Sequence, residues 1–392
     1  MNRRTKPEQI GIPCTLLRGG TSKGVYFHER DLPPEGPVRD RVLKRLMGTP
    51  DIVQIDGLGG SRLITSKIAI IKNSSRPDAD VDYTFGQVEA ERDAIHWSGN
   101  CGNISAGVGP FAINAGLVEA VSPVTVVRIY NTNTDKILIA HVPIDDGFAK
   151  VDGDFSIDGV PGTGAEIFMD YHLTLGARTG SMLPTGNSVD VLEMEGGAQL
   201  EVTLCDVGNP CAFLRATDVG LTGSELPDDI NGNAPLLAQL NEIRCKSAER
   251  MGFTKSWKDP ATVASGGPLI VLVAPPDDYG NMRCEKVPAS AMDLRARLVF
   301  FNKCHESMAG TGSMCTAAAS RIKGSVVNRV LGSPAEGRDT LRIGHPLGIM
   351  QVRVEARVSN AVGGVTFEVL GFGRTARHIM EGTVYVPNST LS

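Results

Sequence analysis

Two stretches constrain this chain more than any others: NCGNISAGVGPFAINAGLV (100–118) and GTGSMCTAAASRIKGSVV (310–327). Both read as helices built from Gly, Ala, Ser and a few apolar residues, entered through glycine and small polar groups. A helix without a charged face cannot sit at a surface and must be covered on most sides. The pattern predicts the first helix over 103–115, ended by Gly116, and the second from about Ser313, helical through 316–322. Alternating, glycine-punctuated segments surround both: 12–17, 24–27, 66–71, 81–90, 124–130 and 137–142 in the first half, and 200–207, 269–274, 294–301, 352–358, 365–370 and 383–386 in the second. Amphipathic helices are expected at 39–47 and 234–251. The fold expected is α+β: two similar, pseudo-symmetric domains, each a buried helix wrapped by mostly antiparallel strands, with both helix N-termini meeting in one cleft. The boundaries expected are 1–182, 183–378, and a terminal segment 379–392 returning to the first domain.

At 392 residues the chain exceeds one ordinary core. Its 41% hydrophobic and 21% charged content is that of a globular protein, and its net charge of −5 carries no nucleic-acid footprint. No apolar run reaches membrane-spanning length, and the N-terminal MNRRTKPEQIGIP lacks the apolar stretch of a secretory signal. A cytoplasmic protein that partners neither nucleic acid nor membrane is expected. A homodimer is an open expectation. The eight cysteines (14, 101, 205, 211, 245, 284, 304, 315) form no CxxC pair. Cys304 and His305 with Cys315 fit no standard zinc spacing, so no metal is expected.

Helix N-termini present unpaired N–H groups, attract anions and favour thiolates. Cys101, with Asn100, Gly102 and Asn103 around it, stands at one such start; Gly310, Thr311, Gly312, Ser313 and Met314 stand at the other. Such ends suit carboxylates, and they suit the enolate-like charge left when a proton departs from carbon beside a carboxylate. Cys101 is a thiolate, a proton donor, a substrate contact, or simply a small residue packed at a turn. Lys67 lies in the apolar segment SKIAII: buried, it becomes a base near neutral pH; at an edge, it faces water. RGGTSKG (18–24) is either a polar hairpin or an anion cradle, with Arg18, Thr21 and Ser22 as its binding groups. It lacks the order of a nucleotide loop. GVGPFA (107–112) falls inside a helix, which excludes a dinucleotide site, and no GxSxG elbow supports serine hydrolysis. His305 and His345, among glycines, are either carboxylate contacts or structural residues.

LRGGTSKG, IDGLGG with TSK, FGQV, WSGNCGN with VGPFAI, AHVPI, PTGN, GHPLG and RTARHIMEGTVYVP, in this order from about Ile12 to about Pro387, resemble the methylaconitate isomerase family. The family includes 2-methylaconitate cis–trans, 3-methylitaconate Δ- and oxalomesaconate isomerases or tautomerases, acting in propionate or aromatic-acid catabolism. The resemblance implies a diaminopimelate epimerase-like fold with the site between two domains. It also implies cofactor-free proton transfer on an unsaturated di- or tricarboxylate, with Lys67 and Cys101 as acid/base candidates. The epimerases place a second thiol in a G-T-G-x-C motif. Here Cys315 comes one residue late, a rotation of about 100° on a helix, so Lys67 is expected to take that role. Leu347 stands in GHPLG where family members often have serine, which loosens the expectation about substrate identity.

Two functions of different class follow. One is an isomerase that removes an allylic proton and returns it at the far carbon, or at the same carbon after bond rotation. The other is a non-enzymatic accessory protein of an aconitase-like enzyme that binds the acid only.

Overall fold

The computed structural model describes residues 8–97, 99–259, 267–332 and 338–391. Residues 1–7 of the N-terminal stretch, Ser98 of WSGNCGN and the terminal Ser392 lie outside them. The chain divides into two compact units, Met1–Met169 with Arg374–Ser392, and Asp170–Gly373. The dividing points expected from sequence were 182/183 and 378/379. Among the described residues no helix is long and apolar enough to cross a membrane.

The first unit is a mixed sheet. Strands β1 (Gln9–Gly19) and β2 (Ser22–His28) form an antiparallel hairpin whose last pair is Gly19 with Ser22. The turn between them needs Gly20, whose φ is 51°. The C-terminal strand Ala376–Pro387 lies antiparallel along β1, within the first unit. From β2 the chain crosses through helix α1 (Pro37–Met47) into β3 (Lys67–Asn73), which runs parallel to β2. Pro37 opens α1, and Gly48, in the left-handed region, closes it. β4 (Val81–Val88) pairs antiparallel with β3, and the two-residue β5 (Ile95–His96) pairs with β4. β6 (Val124–Asn131) runs parallel to β4, and β7 (Lys136–Asp145) antiparallel to β6.

Alternation along the strands decides which side chains meet the site. Val25, Phe27, Ile68 and Ile70 join Val42, Leu43, Leu46 and Met47 of α1 in one core. The intervening residues, Gly24 and Tyr26 on β2 and Lys67 on β3, therefore face the other side of the sheet. That side is covered by α2 (Gly102–Ser105) and α3 (Val108–Asn114), buried along nearly their whole length. The single helix expected over 103–115 is thus broken at Ala106–Gly107. Pro110 has no N–H to offer Ala106. Tyr26 donates its hydroxyl to Ile104 O at 2.5 Å, and Gly107 N turns back to Ile104 O at 3.0 Å. Gly107 itself packs so tightly that a Cβ would stand 2.4 Å from the Tyr26 oxygen.

The second unit is also a mixed sheet. Strands Gln199–Val207 and Asn209–Arg215 form a tight hairpin with Cys205 opposite Cys211. Leu269–Ala274 runs parallel to the second of these, and Leu294–Phe300 antiparallel to Leu269–Ala274. The helix Ala234–Arg250 is capped by Asn233, whose side chain accepts from Leu236 N at 3.1 Å. The small-residue helix runs over Gly310–Arg321, three residues earlier than expected, and is buried from Gly310 to Ser320. Its glycines suggest an entry loop from sequence, but Gly312 serves packing: a Cβ there would stand 2.3 Å from Leu298 Cδ1.

Candidate active site

Lys67 is 4% exposed, and its ammonium donates to Gln87 Oε1 at 2.5 Å. Of the two readings of this lysine, the structure selects the buried one. β3 is flanked by β2 and β4, with Gly24 opposite Lys67 on one side and Gln87 on the other. A Cβ on Gly24 would come within 2.9 Å of Lys67 O and 3.0 Å of Ile104 Cδ1, so glycine there lets β2 and α2 close over the lysine. The Phe85 ring lies 5.4 Å from Nζ. Burial pushes the Lys67 pKa down, and a hydrogen bond and charge interaction with the Cys101 side chain pull it partly back.

Cys101 occupies the residue before α2, with extended backbone (φ −121°, ψ 104°), and is partly exposed. Its amide donates to Asn100 Oδ1 at 2.7 Å, and its carbonyl accepts Ser105 N at 2.8 Å. The helix that follows has only four residues and sums few peptide dipoles, less than the long helix start expected there. The side chain that Cys101 meets is Lys67. Tyr26, buried beside it, has its phenol pKa raised by desolvation and by the Cys101 charge.

RGGTSKG is a hairpin turn, and it is docked on the start of α2. Asn103, fully buried, donates from Nδ2 to Thr21 Oγ1 at 3.1 Å; its Oδ1 accepts Thr21 N at 3.3 Å and Arg374 Nε at 3.0 Å. A Cβ on Gly19 would meet Asn103 O at 2.4 Å, and one on Gly20 would meet Asn103 Oδ1 at 2.2 Å, which is why the turn carries two glycines. Arg18 Nη1 donates to Gly20 O at 3.0 Å and to Thr375 O at 2.8 Å, leaving Nε and Nη2 without partners among the described residues. Ser22 Oγ is buried and has no hydrogen-bond partner among the described residues. Lys67, Cys101, Asn100, Gly102, Asn103, Thr21, Ser22 and Arg18 are thus gathered around one short helix within the first unit.

In the second unit the amides expected to bind carboxylates divide. Ser313 N already donates to Ala309 O at 2.8 Å, and Ser313 Oγ to Gly310 O at 2.7 Å. Met314 is one residue deeper in the helix, fully buried. The amides of Gly310, Thr311 and Gly312 precede Ser313 N, the first amide to donate within the helix. The Thr311 hydroxyl accepts from Asn209 Nδ2 at 2.8 Å. Cys315 is fully buried, its thiol on Cys205 O at 3.2 Å. His305 Nδ1 lies 3.1 Å from Ser307 N, and His345 Nδ1 accepts Leu347 N at 3.2 Å, so both rings brace their own loops.

Three residues with a place in this arrangement escaped the sequence reading: Gln87, Tyr26 and Arg374. Gln87 had a visible signal. In VDYTFGQV the alternation puts it in line with Tyr83 and Phe85, an amide among buried aromatics. Arg374 opens the motif RTARHIMEGTVYVP, but nothing local ties it to Asn103, 271 positions away. Among the described residues no three His, Cys, Asp or Glu side chains group as metal ligands.

The profile of the family described as PrpF protein matches residues 9–387. The 3-methylitaconate isomerase of Eubacterium barkeri is 48% identical over 385 residues, covering 98% of this chain and 99% of its own length. The 2-methyl-aconitate isomerase of Shewanella oneidensis is 41% identical over 400 residues, covering 99% and 100%. A crystal structure of methylitaconate-delta-isomerase superposes with a TM-score of 0.79 at 48% identity, covering 98% of each chain. The resemblance of the sequence motifs is therefore a family relationship along nearly the whole length: the chain belongs to the PrpF family and is an isomerase.

Proposed function

We propose that this chain isomerises an unsaturated tricarboxylate of the methylaconitate or methylitaconate type by moving one proton, without a cofactor. The observation that carries the reading is the buried Lys67, held by Gln87 Oε1 at 2.5 Å, with the Cys101 side chain interacting with it. A lysine whose pKa is lowered by burial supplies a neutral amine, and that amine removes an allylic proton from the carbon beside a carboxylate. The electron pair of the broken C–H bond spreads over a dienolate. The Cys101 thiol returns a proton at the far carbon, or at the same carbon after rotation about the weakened double bond. Lys67 is then an ammonium and Cys101 a thiolate, and a proton passed from one to the other restores both.

The substrate carboxylates are assigned to the free fork of Arg18 and to Thr21, Ser22, Asn100, Gly102 and Asn103 of the first unit. Ser22 supports this assignment, since a buried hydroxyl without a partner is a costly arrangement unless a ligand completes it. We infer further that the chain has two pseudo-symmetric, diaminopimelate epimerase-like halves and is cytoplasmic. The substrate class is that of its relatives, the 3-methylitaconate and 2-methyl-aconitate isomerases.

The test is a proton NMR panel of 2-methylaconitate, 3-methylitaconate and trans-aconitate in deuterated water, with wild type and Lys67→Ala. Isomerisation and solvent deuterium uptake that depend on Lys67 are expected. Tight binding of the acids without either would overturn the reading in favour of an accessory binding protein.

A further inference from the structure

Gln87 holds Lys67 in a way that a merely structural amide would not. Its side chain is 1% exposed. Its Nε2 faces three backbone carbonyls: Leu63 O at 3.2 Å, Ser66 O at 3.1 Å and Val88 O at 3.2 Å. Its Oε1 faces Lys67 Nζ at 2.5 Å. Rotating the amide by half a turn would put oxygen against three carbonyls and an NH2 group against an amine. The orientation is therefore fixed by its surroundings.

From this geometry we infer that Gln87 is a positioning residue for the proposed base: a neutral, orientation-locked acceptor that aims the Lys67 amine without fixing a proton on it. This inference rests on the function proposed above. A neutral amine has two N–H bonds and one lone pair. A fixed acceptor must take an N–H, so the lone pair points away from Gln87 and stays available for a substrate proton. A carboxylate at the same position would aim the nitrogen as well, but would hold it as an ammonium. Burial and a neutral acceptor act together: one removes water from the amine, the other replaces a single water hydrogen bond without adding charge.

The surroundings of Nζ leave little else to set its proton affinity. The residue before α2 presents the Cys101 thiol, among the described residues the one titratable side chain that interacts directly with Lys67. β4 presents the Phe85 ring and Gln87, and β2 presents Gly24, which has no side chain. Tyr26, also on β2, interacts with Cys101 and Arg18. His96 on β5, opposite Gln87 in register, is hydrogen-bonded to Glu89.

The experiment uses Gln87→Glu and Gln87→Met in the full chain. Two readouts are taken: the titration of Lys67 by NMR of labelled lysine side chains, assigned with Lys67→Arg, and the pH profile of isomerisation. Gln87→Glu should raise the Lys67 pKa by about one unit or more and move the acidic limb of the profile upward with it, so that activity returns at higher pH. Gln87→Met removes an acceptor from the ammonium and should move the Lys67 pKa down, with a loss of kcat that exceeds any change in KM. Opposite shifts from two substitutions of similar size are not what simple loss of packing produces. An unmoved Lys67 titration in both variants would overturn the inference. Where Gln87→Glu does not fold, an unmoved titration in Gln87→Met alone overturns it. If Lys67→Ala is active while the Lys67 titration still follows residue 87, the proposed function fails and the coupling between the two side chains stands.

Discussion

Asn103 and Thr21 grip each other reciprocally, Asn103 Nδ2 to Thr21 Oγ1 and Thr21 N to Asn103 Oδ1, across 82 positions of sequence. One buried amide thereby fixes the RGG turn against the start of α2, and Arg374 Nε closes the same oxygen from the C-terminal segment. Three parts of the chain meet at a side chain with no exposure to water.

Substituting Asn103 separates support from binding. Asn103→Leu strands the Thr21 amide and the Arg374 guanidinium and should cost about 2 kcal/mol or more of stability. Asn103→Asp keeps the acceptor for Thr21 N and Arg374 but loses the donor to Thr21 Oγ1. It also places a negative charge where a substrate carboxylate is proposed to lie. The expected outcome is a folded protein whose KM rises about tenfold or more, as one misplaced charge in a partly desolvated site implies. Urea unfolding with steady-state kinetics checks both. An unchanged KM in Asn103→Asp would remove Asn103 and Thr21 from the binding site.

The buried lysine also makes a stability prediction. The folded-state pKa of Lys67 lies below its ordinary value of 10.5. Between those two values the unfolded chain binds more protons than the folded one, so folding stability gains from this group as pH rises through that window. Lys67→Met removes the dependence. Wild-type stability measured against Lys67→Met should therefore climb as pH approaches 10.5 from below, and Lys67→Met should lack isomerase activity throughout. Denaturant unfolding at several pH values supplies the comparison. Parallel curves would mean that the lysine keeps its ordinary proton affinity when folded.

Much of this was readable before any coordinates. Small-residue helices announced burial, and both are buried. The family motifs located Lys67 and Cys101, and the structure brings their side chains together. What escaped reading depended on packing between distant segments. No local pattern shows that Tyr26 will take the carbonyl of Ile104, and that hydrogen bond, with Pro110, divides the helix expected as continuous. The choice between a buried and an edge position for Lys67 was undecidable from alternation alone. It turned on β2 lying parallel beside β3 with Gly24 at the contact. Gly310 and Gly312 looked like a loop because glycine signals turns more often than close packing. Leu298 pressed against Gly312 is a tertiary fact.

Lys67 and Cys101 should prove distinguishable by which half of the reaction each supports. The base takes the proton; the donor returns one. Cys101→Ser keeps a hydroxyl beside Lys67 but replaces an ionisable thiol with a far weaker acid, so proton return should slow by about 10²-fold or more. Abstraction by Lys67 should survive in this variant. Deuterium should then enter the allylic carbon of the substrate from solvent while net isomerisation is lost. Lys67→Ala should lose both exchange and isomerisation, by about the same factor or more. The double variant should be little worse than Lys67→Ala alone, because a donor has nothing to act on once no proton is removed. Proton NMR in deuterated water reads exchange and isomerisation in one sample. Exchange retained in Lys67→Ala and lost in Cys101→Ser would reverse the two roles and make the thiolate the base. Near wild-type isomerisation in Cys101→Ser would assign the return step to water, with Cys101 reduced to a contact that tunes the lysine.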